Sequence, residues 1–246
     1  GRRFVVMDTH EALPTRRLID LRRSSDGMLW ILTEQHELAR YDGQRFQRVT
    51  EANGLPDGRV RTIELSPDAT LWITTTAGAA HWDGSRFLPA VTDGSAVGNA
   101  ACVHHDRDGD VWIGQNDGQA LRVRAGRVIA RYHAPEGVAR EPIADIAQLP
   151  DGSMLLASRS GVLRVQGTQV ELLPATRGRD SFALGVQRDG RIFVRTNGGG
   201  LWLESTDDPV GRFEPGAPMA REGMVRIAPD GTEWTNGVHY LLRDGE

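Results

Sequence analysis

An all-β fold, a propeller of four-stranded antiparallel blades, is predicted by three features of the sequence. Glycine supplies 29 of 246 residues, about 12% against the usual ~7%, and tryptophan supplies six of fifteen aromatics. Asp-Gly pairs recur at Asp26-Gly27, Asp108-Gly109, Asp151-Gly152, Asp189-Gly190 and Asp230-Gly231, and Asp68-Ala69 fills the one gap. The second members fall at 27, 69, 109, 152, 190 and 231, in steps of 42, 40, 43, 38 and 41. A large apolar residue follows three positions later in each unit: Trp30, Trp72, Trp112, Leu155, Phe193 and Trp234. A period of about 40 to 45 residues with short strands is the signature of a blade that buries its faces only against its neighbours.

The second unit serves as template. Val60 to Leu65 reads as a first strand, turned at Pro67-Asp68-Ala69 into a second strand, Leu71 to Thr75. Gly78 to Trp82 reads as the third, Asp83-Gly84 as the next turn, and Phe87-Leu88 as part of the fourth. Asp-Gly favours a two-residue type I′ hairpin, in which both central residues take positive φ. A second marker runs out of phase with the first: Tyr41-Asp42-Gly43-Gln44-Arg45-Phe46, then Trp82-Asp83-Gly84-Ser85-Arg86-Phe87. Weaker copies stand at Ala125 to Ile129, Gln166 to Val170 and Val210 to Phe213. Trp30, Trp72, Trp112 and Trp234 are expected to fill the space between blades.

Gly1-Arg2-Arg3-Phe4 matches Gly43-Gln44-Arg45-Phe46, so the chain opens on a fourth strand and closes just before one, at Asp244-Gly245. The expectation is six units in one domain over residues 1–246, as a closed six-bladed ring or part of a seven-bladed one. The chain begins Gly1-Arg2-Arg3 without an initiator Met, so it is expected to be a piece of something longer.

Several functions are disfavoured. No run of about 18 apolar residues exists to span a membrane. The net charge is −4 with no basic tail, which argues against nucleic acid. A single cysteine, Cys102, permits no intrachain disulfide, and beside Val103 it reads as a buried thiol. Asp106-Arg107-Asp108-Gly109-Asp110 resembles a calcium loop, but Gly stands at position 4 and no Glu at position 12. His104 and His105 point to opposite faces of a strand. No nucleophile elbow or phosphate loop is present, and Asn197-Gly198-Gly199-Gly200 reads as a turn. No metal, cofactor or catalytic residue is therefore expected, although propeller enzymes assemble sites from distant loops and a glycan lyase or hydrolase stays open.

Ten residues before the second member of each turn pair stand Arg17, Arg59, Asn99, Pro142, Asp180 and Arg221. These positions lead into the first strands and should converge on one mouth of the central channel. Three arginines there suit a carboxylate or sulfate, because the guanidinium fork matches those groups. Arg17, Arg59, Asn99, Asp180 and Arg221 are the candidate ligand site, for an acidic small molecule or oligosaccharide. Pairing with Asp57, Glu141, Asp180 or Glu222 is the structural alternative.

The phrases Gly54-Leu55-Pro56, Val60-Arg61-Thr62-Ile63, Asp68 to Thr75 and Asp106 to Gly114 resemble the two-component regulator propeller repeat. The likeness covers nearly the whole chain and weakens in units four and five, where Leu155 and Phe193 replace Trp. The resemblance implies the periplasmic sensor of an inner-membrane receptor, with a histidine kinase or diguanylate cyclase as output. It also implies a receptor homodimer and a segment that is itself no enzyme. The alternative is a scaffold or dimerisation propeller without a small ligand.

Overall fold

The structure is a computed structural model that describes residues 17–24, 26–66, 68–92, 95–125, 127–215, 225–227, 233–236 and 241–243. The first blade comprises β1 (Leu18–Arg23), β2 (Leu29–Thr33), β3 (Leu38–Tyr41) and β4 (Phe46–Arg48). The second comprises β5 (Val60–Leu65), β6 (Leu71–Thr75), β7 (Ala79–Trp82) and β8 (Phe87–Pro89). A small hairpin follows, β9 (Val91–Thr92) and β10 (Ser95–Ala96). The third blade comprises β11 (Ala100–His105), β12 (Val111–Gln115), β13 (Gln119–Arg124) and β14 (Arg127–His133). The fourth comprises β15 (Asp145–Gln148), β16 (Met154–Ser158), β17 (Gly161–Gln166) and β18 (Gln169–Leu172). The fifth comprises β19 (Ser181–Val186), β20 (Ile192–Thr196), β21 (Gly199–Leu203) and β22 (Arg212–Pro215). Every blade is an antiparallel meander in chain order.

The expected six blades are corrected to five. The last unit contributes β23 (Val225–Ile227), β24 (Glu233–Asn236) and β25 (Leu241–Arg243), which form a three-stranded sheet. The strand at Gly1 to Phe4, counted on to complete that unit, lies outside the described residues, as do Asp230-Gly231 and Asp244-Gly245.

Burial explains the arrangement. The second strands are buried almost end to end, and β16 and β20 have all five residues buried. A strand apolar on both sides needs cover on both sides, and each seam between blades supplies it. Trp30, Leu32, Leu71 and Ile73 close the first seam, with Trp82 and Phe87 edge-on to Trp30 at 5.1 and 5.8 Å. Trp112 stacks on Tyr132 in the third seam, where Ile146 and Leu156 meet them. Trp30 and Trp112 thus pack as expected. Trp72, half-buried, also packs against the second seam and stacks on His81, and the side chain of Trp234 lies outside the described residues.

Polar bonds stitch the same seams. His36 takes both backbone groups of Val60: its carbonyl accepts the Val60 N–H at 3.1 Å and its Nδ1 donates to the Val60 carbonyl at 2.9 Å. Thr74 Oγ1 donates to Ala101 O across the second seam at 3.2 Å. The Cys102 thiol, 2% exposed, donates to Ile143 O across the third at 3.4 Å. A Cβ at Gly114 would lie 2.5 Å from Cys102 Sγ and 2.8 Å from Ile143 Cγ2, so only glycine admits this approach.

The turns differ from the type I′ expectation. In all five blades the loop has three residues, closed by two backbone bonds, as in Gly27 N to Ser24 O and Ser24 N to Met28 O, each 2.9 Å. The aspartate keeps negative φ and only the residue after it is left-handed: Gly27, Gly109, Gly152 and Gly190 at 84° to 93°. This is the type I turn with a glycine bulge. Asp26, Asp68, Asp151 and Asp189 cap it by accepting the backbone N–H two residues on, at 2.9 to 3.1 Å.

Ala69 holds the glycine position at φ 63°, a conformation that disfavours a Cβ by about 1–2 kcal/mol. Ala69→Gly is therefore expected to raise the unfolding free energy by about 1 kcal/mol in urea titration, and Gly109→Ala to lower it by at least as much.

Candidate functional site

The first strands lie side by side around one axis, β1 against β5, β5 against β11, β11 against β15, and β15 against β19. Between them opens a cavity of about 690 Å³. One mouth is built the same way in four blades. The carbonyl of the residue leading into the first strand accepts the N–H of a residue just beyond the second. The pairs are Arg17 with Glu34 and Arg59 with Thr76 at 3.1 Å, Asn99 with Asn116 at 2.9 Å, and Asp180 with Asn197 at 3.3 Å.

Four of the five candidate residues thus occupy equivalent places, as counting back from the turns implies. They do not all reach the cavity. Arg59 and Asp180 line it, with Pro142 beside them. Arg17 is turned to Glu34 at 3.4 Å. Asn99 is not among the lining residues and gives its carbonyl to Asn116. Arg221 lies outside the described residues. Two further arginines line the cavity, Arg61 and Arg159. Arg159 stands four residues beyond the bulky Leu155 of its second strand, a spacing that also finds Thr76, Asn116 and Asn197 and would have revealed it.

Arg61 comes from a bulge. In four blades the pairing of the first two strands slips by one residue at the same place, between Leu18 and Asp20, Val60 and Thr62, Ala100 and Cys102, and Ser181 and Ala183. The skipped residues, Ile19, Arg61, Ala101 and Phe182, all line the cavity. A bulge re-aims a side chain and leaves no signature in residue type, so the sequence did not disclose them.

The acids of the cavity are engaged. Asp145 accepts the N–H of Ile146 at 2.9 Å and, across the seam, that of Leu184 at 2.8 Å. Asp20 accepts from Leu21 N at 2.7 Å and from Arg22. Asp180 accepts from Asn197 Nδ2 at 2.5 Å. The arginines are not matched in kind. Among the described residues, Arg59, Arg61 and Arg159 take part in no ion pair, and Arg61 meets only the amide oxygen of Asn116, at 3.3 Å. Elsewhere arginines are held by carboxylates: Arg122 and Arg124 flank the buried Asp110 at 2.6 and 2.7 Å, and Arg164 meets Asp151 at 2.8 Å. The calcium-like run Asp106 to Asp110 is taken up in that way, with Trp112 Nε1 donating to Asp106 at 2.9 Å.

Deeper in the channel, Glu64 meets both histidines that strand alternation would separate, His104 Nδ1 at 3.1 Å and His105 Nδ1 at 3.8 Å. Burial raises its pKa, but the two imidazoles outweigh burial and hold it at about 2. Burial pushes the Cys102 thiol well up, which leaves it un-ionised.

No protein-family model and no curated protein matches the sequence. Solved structures do. The extracellular domain of a B. thetaiotaomicron protein assigned to the hybrid two-component systems matches with a TM-score of 0.73 and 17% identity, over 93% of this chain and 33% of that one. A second such domain from the same organism matches at 0.71 and 18%, over 92% and 35%. Virginiamycin B lyase from Staphylococcus aureus matches at 0.70 and 16%, over 92% of this chain and 79% of that one. The chain spans about a third of the sensor chains. At these identities the likeness establishes the fold, a propeller related both to two-component sensor domains and to a lyase. The expectation that this segment is no enzyme is overturned, because the lyase likeness is of similar strength to that of the sensors. The physical reason is that a propeller gathers side chains from separate blades, so the lack of a local motif excludes no chemistry.

The Glu64 shift sets a pH dependence. Its folded pKa lies below the ordinary 4.5, so its contribution is complete above pH 4.5 and is lost as pH falls toward 2. Glu64→Gln is expected to flatten the stability profile in that window, read by urea unfolding at pH 5, 4 and 3.

Proposed function

We propose that this chain is the ligand-sensing input module of an extracytoplasmic receptor, and that it holds an anion at the arginine mouth of its central channel. The observation that carries the reading is the trio Arg59, Arg61 and Arg159, which among the described residues face the cavity in no ion pair, while the acids that share it are bonded to other groups. Guanidinium groups outside any ion pair keep their donor forks open to a carboxylate or sulfate. The fold shared with sensor domains supports the receptor context, a periplasmic segment of an inner-membrane protein with a kinase or cyclase output and a homodimeric state. Among the described residues no helix is long and apolar enough to cross a membrane.

A thermal-shift screen that compares each acid with its neutral amide tests the reading, since a ligand of the native state raises the midpoint by mass action. Acids are expected to shift the midpoint and their amides to leave it. Arg59→Ala with Arg61→Ala should weaken the best acid at least tenfold with the unliganded midpoint unchanged or higher, because no ion pair is broken. Equal affinity in that variant would refute the site.

The lyase likeness favours one second reading, that a captured molecule is also converted. Mass spectrometry of a bound ligand after overnight incubation decides it: an altered mass establishes turnover, an unchanged one a sensor.

A further inference from the structure

We propose that the anion carries an apolar body, so that the ligand is an amphiphilic acid, a carboxylate or sulfonate on an aromatic ring or short acyl chain, rather than a sugar acid. This rests on the anion-sensing reading above and adds the chemistry of the wall below the arginines.

Part of that wall is apolar. Ile19, Ala101 and Phe182, three of the four skipped bulge residues, face the cavity, and Ala144 joins them from the fourth blade. Phe182 is half-buried and Ala144 exposed, so both present surface. Pro142 stands between this wall and the rim.

The polar groups at the same depth are bonded to the protein. Thr62 Oγ1 lies 2.8 Å from Thr74 Oγ1, whose own proton goes to Ala101 O. Cys102 Sγ is turned to Ile143 O. Asp145 holds two backbone N–H groups, one on each carboxylate oxygen. A sugar ring entering here would give up water at each hydroxyl and find few open partners, which is unfavourable for every group left unmet. An acyl chain or phenyl ring gives up only apolar hydration, and that exchange is favourable. A cavity of about 690 Å³ admits a molecule of this size with room to spare.

Isothermal titration of the protein with butyrate, hexanoate, octanoate, phenylacetate, glucuronate and hexanamide tests the assignment. The expected result is a Kd that falls about threefold to fourfold for each added methylene. Phenylacetate should bind, and hexanamide and glucuronate should bind at least tenfold more weakly than hexanoate. Phe182→Ala should weaken hexanoate about tenfold. Because Phe182 also packs against Phe193 and Ala183, Ala144→Glu serves as the second variant. It sets a like charge on an exposed wall position and should abolish hexanoate binding with the melting midpoint kept.

Glucuronate binding that depends on Arg59 and Arg61, with affinity flat along the fatty-acid series, would overturn the amphiphile and leave the anion site standing. No binding by any acid would overturn both. Hexanoate bound equally well by Ala144→Glu would place the acid outside this cavity and overturn the proposal.

Discussion

Each blade has two apolar faces and cannot cover either alone; only the neighbour around the axis can. That constraint orders the rest. It makes the second strands buried along their whole length, as in Leu155, Leu156 and Ala157 at 0% exposure. It leaves the outer strands half-exposed, as in the alternating pattern of β14 and β18. It also drives the first strands together at the centre, where their side chains meet across a channel instead of across a core. The seams are the cohesive element, and the channel is what remains when they are closed.

The bulge converts this scaffold into a site. A regular first strand would alternate strictly, one side chain to each seam in turn. Skipping one residue at the same place in four blades brings Ile19, Arg61, Ala101 and Phe182 to the channel wall. Asp145 shows the coupling of site to seam, since its two oxygens hold its own blade and the next. A ligand in the channel would lie against residues that also register neighbouring blades, and its binding would stabilise the native state by mass action.

Much of the fold was legible because its punctuation is covalent. An aspartate that caps a turn, a left-handed residue after it and a bulky residue three further on are requirements of residue type, so the repeat and the strands of the second blade could be read to within a residue. The turn type was misread because Asp-Gly also serves the three-residue loop, in which Asp26 keeps negative φ and caps Met28 N. The blade count was misread because the last unit was counted as complete, with Gly1 to Phe4 as its fourth strand, whereas among the described residues it forms a three-stranded sheet. The candidate site was half legible: counting from the turn located Arg59 and Asp180, and the same count forward would have found Arg159. Arg61 and Phe182 were not legible, because nothing in their identity marks a slipped register.

The proposed channel mouth holds an acid by its charge, and the wall below holds its apolar body. Anomalous diffraction from a crystal soaked in 4-bromophenylacetate tests it most directly, since bromine marks the body and the carboxylate is seen beside it. The account predicts one bromine peak in the channel near Phe182 and Ala144, with the carboxylate at Arg59 and Arg61. A peak on the outer strands, a bromine turned out past the arginine rim, or an empty channel at saturating acid would contradict it.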